Sequence, residues 1–368
     1  MKKIAILANN DGGLYNFRKE LIEKILKETF DVTLMLPKGK RINELISMGC
    51  HFIEIDVDRR GTNPITDYKL MKEYQKILKE IQPNIVLTYT IKPTIYGGIA
   101  CQKFNMPYIA NITGLGTAVE NGGLKQKLII KLYKKALKKI NCVFFQNKAN
   151  QQFFKDHKIG IKHQLCLPGS GVNLIQHCFE PYPEDDKTIR FLFIGRMMKN
   201  KGIDELLEAA QMIKKRYQNV TFDLIGFCED DYEKQLKALE SQKIIRFLGQ
   251  QEDIHAFIKT HHATILPSYH EGMANVLLES AAAGRPVLAS NIPGCQETFD
   301  AEISGFGFCP KNTEDLVQKI IQFIALPYEQ KKQMGICGRQ KMEREFDRQI
   351  VVDAYMKEIE SILERTKR

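Results

Sequence analysis

Residues 189–202 read IRFLFIGRMMKNKG. The near-continuous apolar run up to Ile194 suits a strand buried on both faces of a sheet. It stops at Gly195, delivers Arg196 and Lys201 in a short polar turn, and passes into a helical pattern near Gly202. Strand, turn and helix form the repeating unit of a parallel sheet covered by helices. The same unit recurs in both directions. Downstream stand VTFDLIG, IIRFLG, ATILPS and RPVLAS; upstream stand KIAILAN, DVTLML, HFIEI, NIVLTYT, PYIANI and NCVFFQN, most followed by a helix-length segment. Between the two series, LPGSGVNLIQHCFEPYPEDDKT (167–188) is rich in Pro, Gly and acids and reads as a linker. The expectation is therefore an α/β chain of two tandem Rossmann-like, doubly wound domains, 1–170 and 189–345, joined by a hinge at 171–188. Open α/β sheets bind ligands outside the carboxyl ends of their strands, so a cleft facing both domains is expected. The last stretch, 346–368, reads as a helix that packs on its own domain or crosses back to the first.

At 368 residues the chain is too long for one typical core. Its start lacks the apolar core of a secretory signal, and no apolar run approaches the roughly 18 residues of a spanning helix, so a cytoplasmic protein is expected. Nine cysteines are odd in number and scattered, with no Cys-x-x-Cys and no His at metal-ligand spacing, which implies free thiols. Charge is divided unevenly. Residues 1–170 hold 28 Lys and Arg against 14 Asp and Glu, leaving 26 against 30 for the rest. A basic first half suits a polyanion, either a nucleic acid or an anionic membrane face. Within it, LKQKLIIKLYKKALKKI (124–140) has seven lysines and no acid. Leu128, Leu132, Ala136 and Ile140 share a helical stripe, and Lys127, Lys131, Lys134, Lys135 and Lys138 crowd the remaining surface, a pattern suited to an anionic bilayer or to packing with a solvated outer face.

Two further segments place polar groups after strands. In SYHEGMANVLLES, Glu271 falls in a turn and Glu279 in the helix that follows; if all eight steps were helical they would span about 12 Å. The two acids could hold opposite ends of one extended ligand, with backbone N–H groups of Gly272, Met273, Ala274, Asn275 and Val276 between them. Alternatively Glu271 only stabilises the helix start. In SNIPGCQET, Gly294 precedes a helix start and could line a second anion site. Arg196 and Lys201 form a diphosphate clamp or a solvated pair. NNDGGLYNF (9–17) lacks the full dinucleotide fingerprint, which disfavours a nicotinamide cofactor. Asp56-Val57-Asp58 has no further ligands, and no His-x-x-x-His or Gly-x-Ser-x-Gly motif supports hydrolytic metal or serine chemistry.

Together, GRMMKNKG, EGMANVLLE, AAGRPVLAS and PGCQE resemble the donor site of the retaining nucleotide-sugar glycosyltransferases of GT-B fold, the glycosyltransferase family 4 type. TYTIKPTIYGGIA and NITGLGTAVENGG are similar to segments of bacterial capsule, O-antigen and protein-glycan transferases. The resemblance implies that Arg196 and Lys201 bind and stabilise the departing diphosphate, Glu271 positions the donor sugar, and Glu279 binds the ribose hydroxyls. It places Gly12, Gly13, Gly195 and Gly294 near the donor, and uracil near Phe247, Leu248 and Gly249. It implies acceptor contacts at Lys92, Tyr96, Thr113 and Gly114. A first-domain His found in some relatives is missing from NITGLGT, which fits front-face substitution. The implied substrates are a UDP-sugar, N-acetylgalactosamine first, and an undecaprenyl-diphosphate-linked saccharide at the inner membrane face, with no metal, no cofactor and no nucleic acid required. A UDP-sugar epimerase of the same fold and a basic RNA- or membrane-binding protein are the alternatives.

Overall fold

The computed structural model describes residues 2–59, 61, 63–115, 123–185 and 187–366. The chain divides into two units, Met1–Ser170 with Gln349–Arg368, and Gly171–Arg348. The first is a seven-stranded sheet of β1 (Lys3–Leu7), β2 (Asp31–Leu36), β3 (His51–Glu54), β4 (Ile85–Tyr89), β5 (Tyr108–Ile112), β6 (Cys142–Phe145) and β7 (Gln164–Cys166), in the order β3-β2-β1-β4-β5-β6-β7. Every neighbouring pair is parallel. Alternate side chains feed two cores. Ile4 and Ile6 join one cluster and Ala5 and Leu7 the other, as do Ile85 and Leu87 against Val86. A strand that must bury both faces has no room for a polar side, which is why these segments read as unbroken apolar runs.

The second unit has six parallel strands, β8 (Ile189–Ile194), β9 (Val220–Ile225), β10 (Arg246–Phe247), β11 (Ala263–Leu266), β12 (Val287–Ser290) and β13 (Gly305–Phe308), in the order β10-β9-β8-β11-β12-β13. Phe191 and Phe193 enter one core, and Leu192 the opposite one. Two edge strands had no clear signal in the sequence. β7 has only three residues, all partly or fully exposed, and β13 reads GFGF, where glycine supplies no apolar side chain.

The terminal helix, Arg348–Thr366, belongs to the first unit from Gln349 onward. Val351, Val352, Tyr355, Met356, Ile359, Ile362 and Leu363 pack in the core that holds Ile4 and Ile6. Tyr355 OH accepts a 2.6 Å hydrogen bond from Asn111 Nδ2. The segment 171–188, read in the sequence as a hinge, groups with the second unit. Val172 N donates to Phe346 O at 2.8 Å and Arg348 N to Val172 O at 3.1 Å, so entry to and exit from that unit run side by side. Further on, Tyr182 is buried and its OH donates to His262 O at 2.9 Å. Among the described residues, no helix is long and apolar enough to cross a membrane.

Candidate functional site

Strands β8 and β11 are neighbours, and the strand order reverses between them, so their outgoing loops lie together at a topological switch point. The loop after β8 makes a single turn, Lys199–Lys201, closed by Gly202 at φ 69°. A Cβ at Gly202 would stand 2.1 Å from Pro267 O, so only glycine lets the two loops approach. Tyr269 N donates to Asn200 O at 3.0 Å across the same contact. The result is that Lys201 Nζ, from the β8 loop, forms an ion pair with Glu271 Oε1, from the β11 loop, with both side chains mostly buried. Arg196 instead pairs with Glu229, which follows β9. Sequence reasoning missed Glu229, because only the adjacency of β8 and β9 brings it there.

Glu279 lies in the second turn of the helix Asn275–Ala282 and is buried. Residues 271–274 are not helical, so Glu271 lies in the turn and the helix begins at Asn275. Burial pushes the Glu279 carboxyl up to about 7, with Arg348 acting in the opposite direction. His177 Nε2 stands 4.0 Å from Glu279 Oε1. No side chain caps this helix. Nearby, Ser268 Oγ, Asn275 Oδ1 and Ser290 Oγ are buried without a hydrogen-bond partner among the described residues. Orphaned polar atoms at the carboxyl end of a sheet are unusual and fit a ligand site.

The raised acid makes a testable stability statement. Between about pH 4.5 and about pH 7 the native state holds a proton on Glu279 that the unfolded chain has released. Stability from this group is therefore present below pH 4.5 and is lost as pH rises toward about 7. Glu279→Gln is expected to remove this loss, gaining on the order of 3 kcal/mol relative to wild type between about pH 5 and about pH 8. Denaturant titrations at the two pH values check it, and equal pH slopes in both proteins would contradict it.

The other residues read as lining the donor have the following surroundings. Met273 and Ala274 are buried in apolar clusters, and Val276 packs partly against one, so these side chains are structural. Ala274 N donates to Gly294 O at 2.8 Å. Gly294 N donates to Glu297 Oε2 at 2.7 Å. Its φ of 87° and the close approach of Glu271 O explain the glycine. Gly195 N donates to Ile225 O at 2.9 Å and Gly226 N to Gly249 O at 2.9 Å, which ties the ends of β8, β9 and β10 together beside Phe247 and Leu248. Gly272 adjoins Glu271 in the β11 loop.

In the first unit, Gly12 and Gly13 are corrected from loop to helix. The helix runs Asp11–Lys27, and Gly13 N donates to the Asn10 side chain at 2.6 Å. Asn10 is a good cap, so the helix starts before the glycines rather than after them. Lys92 Nζ pairs with Asp67 at 2.7 Å, and Tyr96 OH donates to the same carboxylate at 2.8 Å. Thr113 and Gly114 follow β5, next to the strand that leads to Lys92; the remainder of that motif, 116–122, lies outside the described residues. The lysine-rich helix spans Gly123–Ala136. Tyr133 and Ala136 are core, while Lys127, Lys131, Lys134, Lys135 and Lys138 are exposed along with Leu124 and Leu128. The expected apolar stripe thus packs inward at its carboxyl end and is exposed at its amino end.

Two units, each built on a parallel Rossmann-like sheet, are the architecture of the GT-B fold. Residues 175–341 match the family model of Glycosyl transferases group 1, and residues 3–147 that of Glycosyl transferase 4-like. The chain belongs to these glycosyltransferases. It is 25% identical, over 96% of its length and 97% of the relative's, to the N,N'-diacetylbacillosaminyl-diphospho-undecaprenol alpha-1,3-N-acetylgalactosaminyltransferase of Campylobacter jejuni. It is 23% identical, over 90% of each chain, to the capsular polysaccharide biosynthesis glycosyltransferase CapM of Staphylococcus aureus. Among solved structures, sucrose-phosphate synthase of Thermosynechococcus elongatus superposes with a TM-score of 0.79 at 18% identity over all of both chains. HepE of Anabaena in complex with UDP and glucose gives 0.77 at 16% identity over 98% of this chain and 100% of that one. These two show the shared fold.

Proposed function

We propose that this glycosyltransferase moves N-acetylgalactosamine, or a related N-acetylhexosamine, from its UDP-sugar to an undecaprenyl-diphosphate-linked saccharide with retention of configuration. The observation that carries the reading is the Lys201–Glu271 pair at the switch point of the second sheet, with buried Glu279 on the next helix. Lys201 and Arg196 supply fixed positive charge where a departing diphosphate develops negative charge, and such preorganised charge costs no reorganisation during reaction. Glu271 holds the ammonium of Lys201 in place and positions the sugar. Glu279, once ionised, accepts hydrogen bonds from the hydroxyls of a ribose. The acceptor hydroxyl attacks from the face the diphosphate leaves, forming the new C–O bond as the old one breaks, and its proton passes to the diphosphate. No metal or cofactor is needed for this step. The name of the Campylobacter relative supports the choice of sugar and acceptor.

The exposed lysines of the helix Gly123–Ala136, beside exposed Leu124 and Leu128, support attachment to the anionic inner face of the cytoplasmic membrane. One assay tests both parts: UDP release from UDP-N-acetylgalactosamine, with and without a polyprenyl-diphosphate-linked saccharide carried in anionic or neutral vesicles. Release is expected to require the acceptor and to be faster on anionic vesicles. Interconversion of the UDP-sugar without acceptor would instead identify an epimerase, and equal rates on both vesicles would contradict membrane attachment.

A further inference from the structure

The fold assembles a side-chain cluster that sequence spacing does not reveal. Cys178 and Glu180 lie in the segment that enters the second unit, and His255 begins the short helix His255–Ile258, 77 residues beyond Cys178. Cys178 Sγ stands 3.6 Å from Glu180 Oε1 and 3.7 Å from His255 Nε2, and His255 Nε2 stands 3.0 Å from Glu180 Oε1. A zinc ion with about 2.3 Å to sulfur and about 2.0–2.2 Å to nitrogen and oxygen, in tetrahedral arrangement, needs ligand separations of about 3.3–3.6 Å. The observed triangle is therefore close to one face of a zinc tetrahedron. We propose that Cys178, Glu180 and His255 bind a thiophilic divalent cation, zinc first, with the fourth position open to water.

The chemistry of the three groups agrees. Thiolate and carboxylate together neutralise a divalent ion, and imidazole is a common ligand for zinc. Cys178 is exposed, so a cation reaches it from solvent. Binding forms a metal–sulfur bond and releases the thiol proton to water.

The cluster also has a rigid support. The guanidinium of Arg285, 1% exposed, donates to Glu180 O at 3.0 Å and Pro181 O at 2.8 Å. It donates as well to Ile258 O at 3.2 Å and Lys259 O at 2.6 Å. One buried cation thus fixes the backbone bearing Glu180 and the end of the helix bearing His255, leaving little rearrangement for metal binding to impose. A second group of similar composition, Cys142, His163 and Glu358, lies in the first unit. There the thiol is fully buried on β6 and burial pushes it far above its ordinary range, so it is a poor source of thiolate.

The test uses the metal-free full-length protein titrated with cobalt(II), whose thiolate charge-transfer absorption reports sulfur ligation. One equivalent per chain is expected to give this band, and zinc is expected to displace it. Cys178→Ser is expected to abolish the band and His255→Ala to weaken binding by about 100-fold or more, while Cys309→Ser, a change at another exposed thiol, leaves both unchanged. Far-ultraviolet circular dichroism checks that each variant folds. A wild-type protein without the band, or a band that persists unaltered in Cys178→Ser, overturns the site. Because the readout is metal binding, its outcome is independent of any sugar transfer.

Discussion

Lys201→Ala is expected to lower turnover by about 100-fold or more, the scale seen when one donor to a developing negative charge is removed. The loss should fall on kcat more than on KM, because the diphosphate carries most of its charge as it departs. Arg196→Ala is expected to act in the same direction. The two differ in their structural cost. Arg196 is partly exposed and pairs with Glu229, whereas Lys201 and Glu271 are mostly buried, so removing Lys201 also strands an acid. Comparing the variants by steady-state kinetics, with thermal unfolding as a control for folding, separates catalysis from stability. Near-normal turnover in both would remove the diphosphate from this site.

Arg285→Met should have the largest effect on stability. Besides the four carbonyls that flank the Cys178 cluster, Arg285 Nη1 donates to Ala283 O at 2.9 Å. Burial lowers its pKa to about 10, so it remains charged at neutral pH. Methionine fills similar volume but leaves buried carbonyls without donors. The expected loss is about 3 kcal/mol or more, since removing one partner of a buried charged network exposes the full desolvation penalty of those left behind. Urea unfolding followed by a probe in the second unit measures it, and a change below about 0.5 kcal/mol, the range of ordinary surface substitutions, would show that the carbonyls find other partners. In sequence, the Arg-Pro step of AAGRPVLAS resembles part of a donor motif; in the structure it is a tie between loop carbonyls.

Much of the fold was legible because a strand buried on both faces cannot avoid an apolar run. KIAILAN, VTFDLIG and RPVLAS each contain an observed strand. The edge strands were not legible, since β7 and β13 bury less or carry glycine. The segment 171–188 looked like a hinge for its prolines and acids, but Val172 and Tyr182 are buried in the second unit. Local composition records turns well and tertiary attachment poorly. The same limit governs the site. Lys201 and Glu271 were found one by one, each after its own strand, while their pairing depends on β8 lying beside β11. Glu229 as the partner of Arg196, and His255 as the partner of Cys178, are separated in sequence by too much chain for any spacing rule to join them.

The loops after β8 and β11, with Glu279, are expected to form the nucleotide-sugar site. Calorimetric titration of UDP into wild type, Lys201→Ala and Glu279→Gln tests it most directly. One UDP per wild-type chain is expected, weakened by about 10-fold or more in each variant, as the loss of one charge-assisted hydrogen bond requires. Equal UDP affinity in all three proteins, or no binding to the wild type, would contradict it.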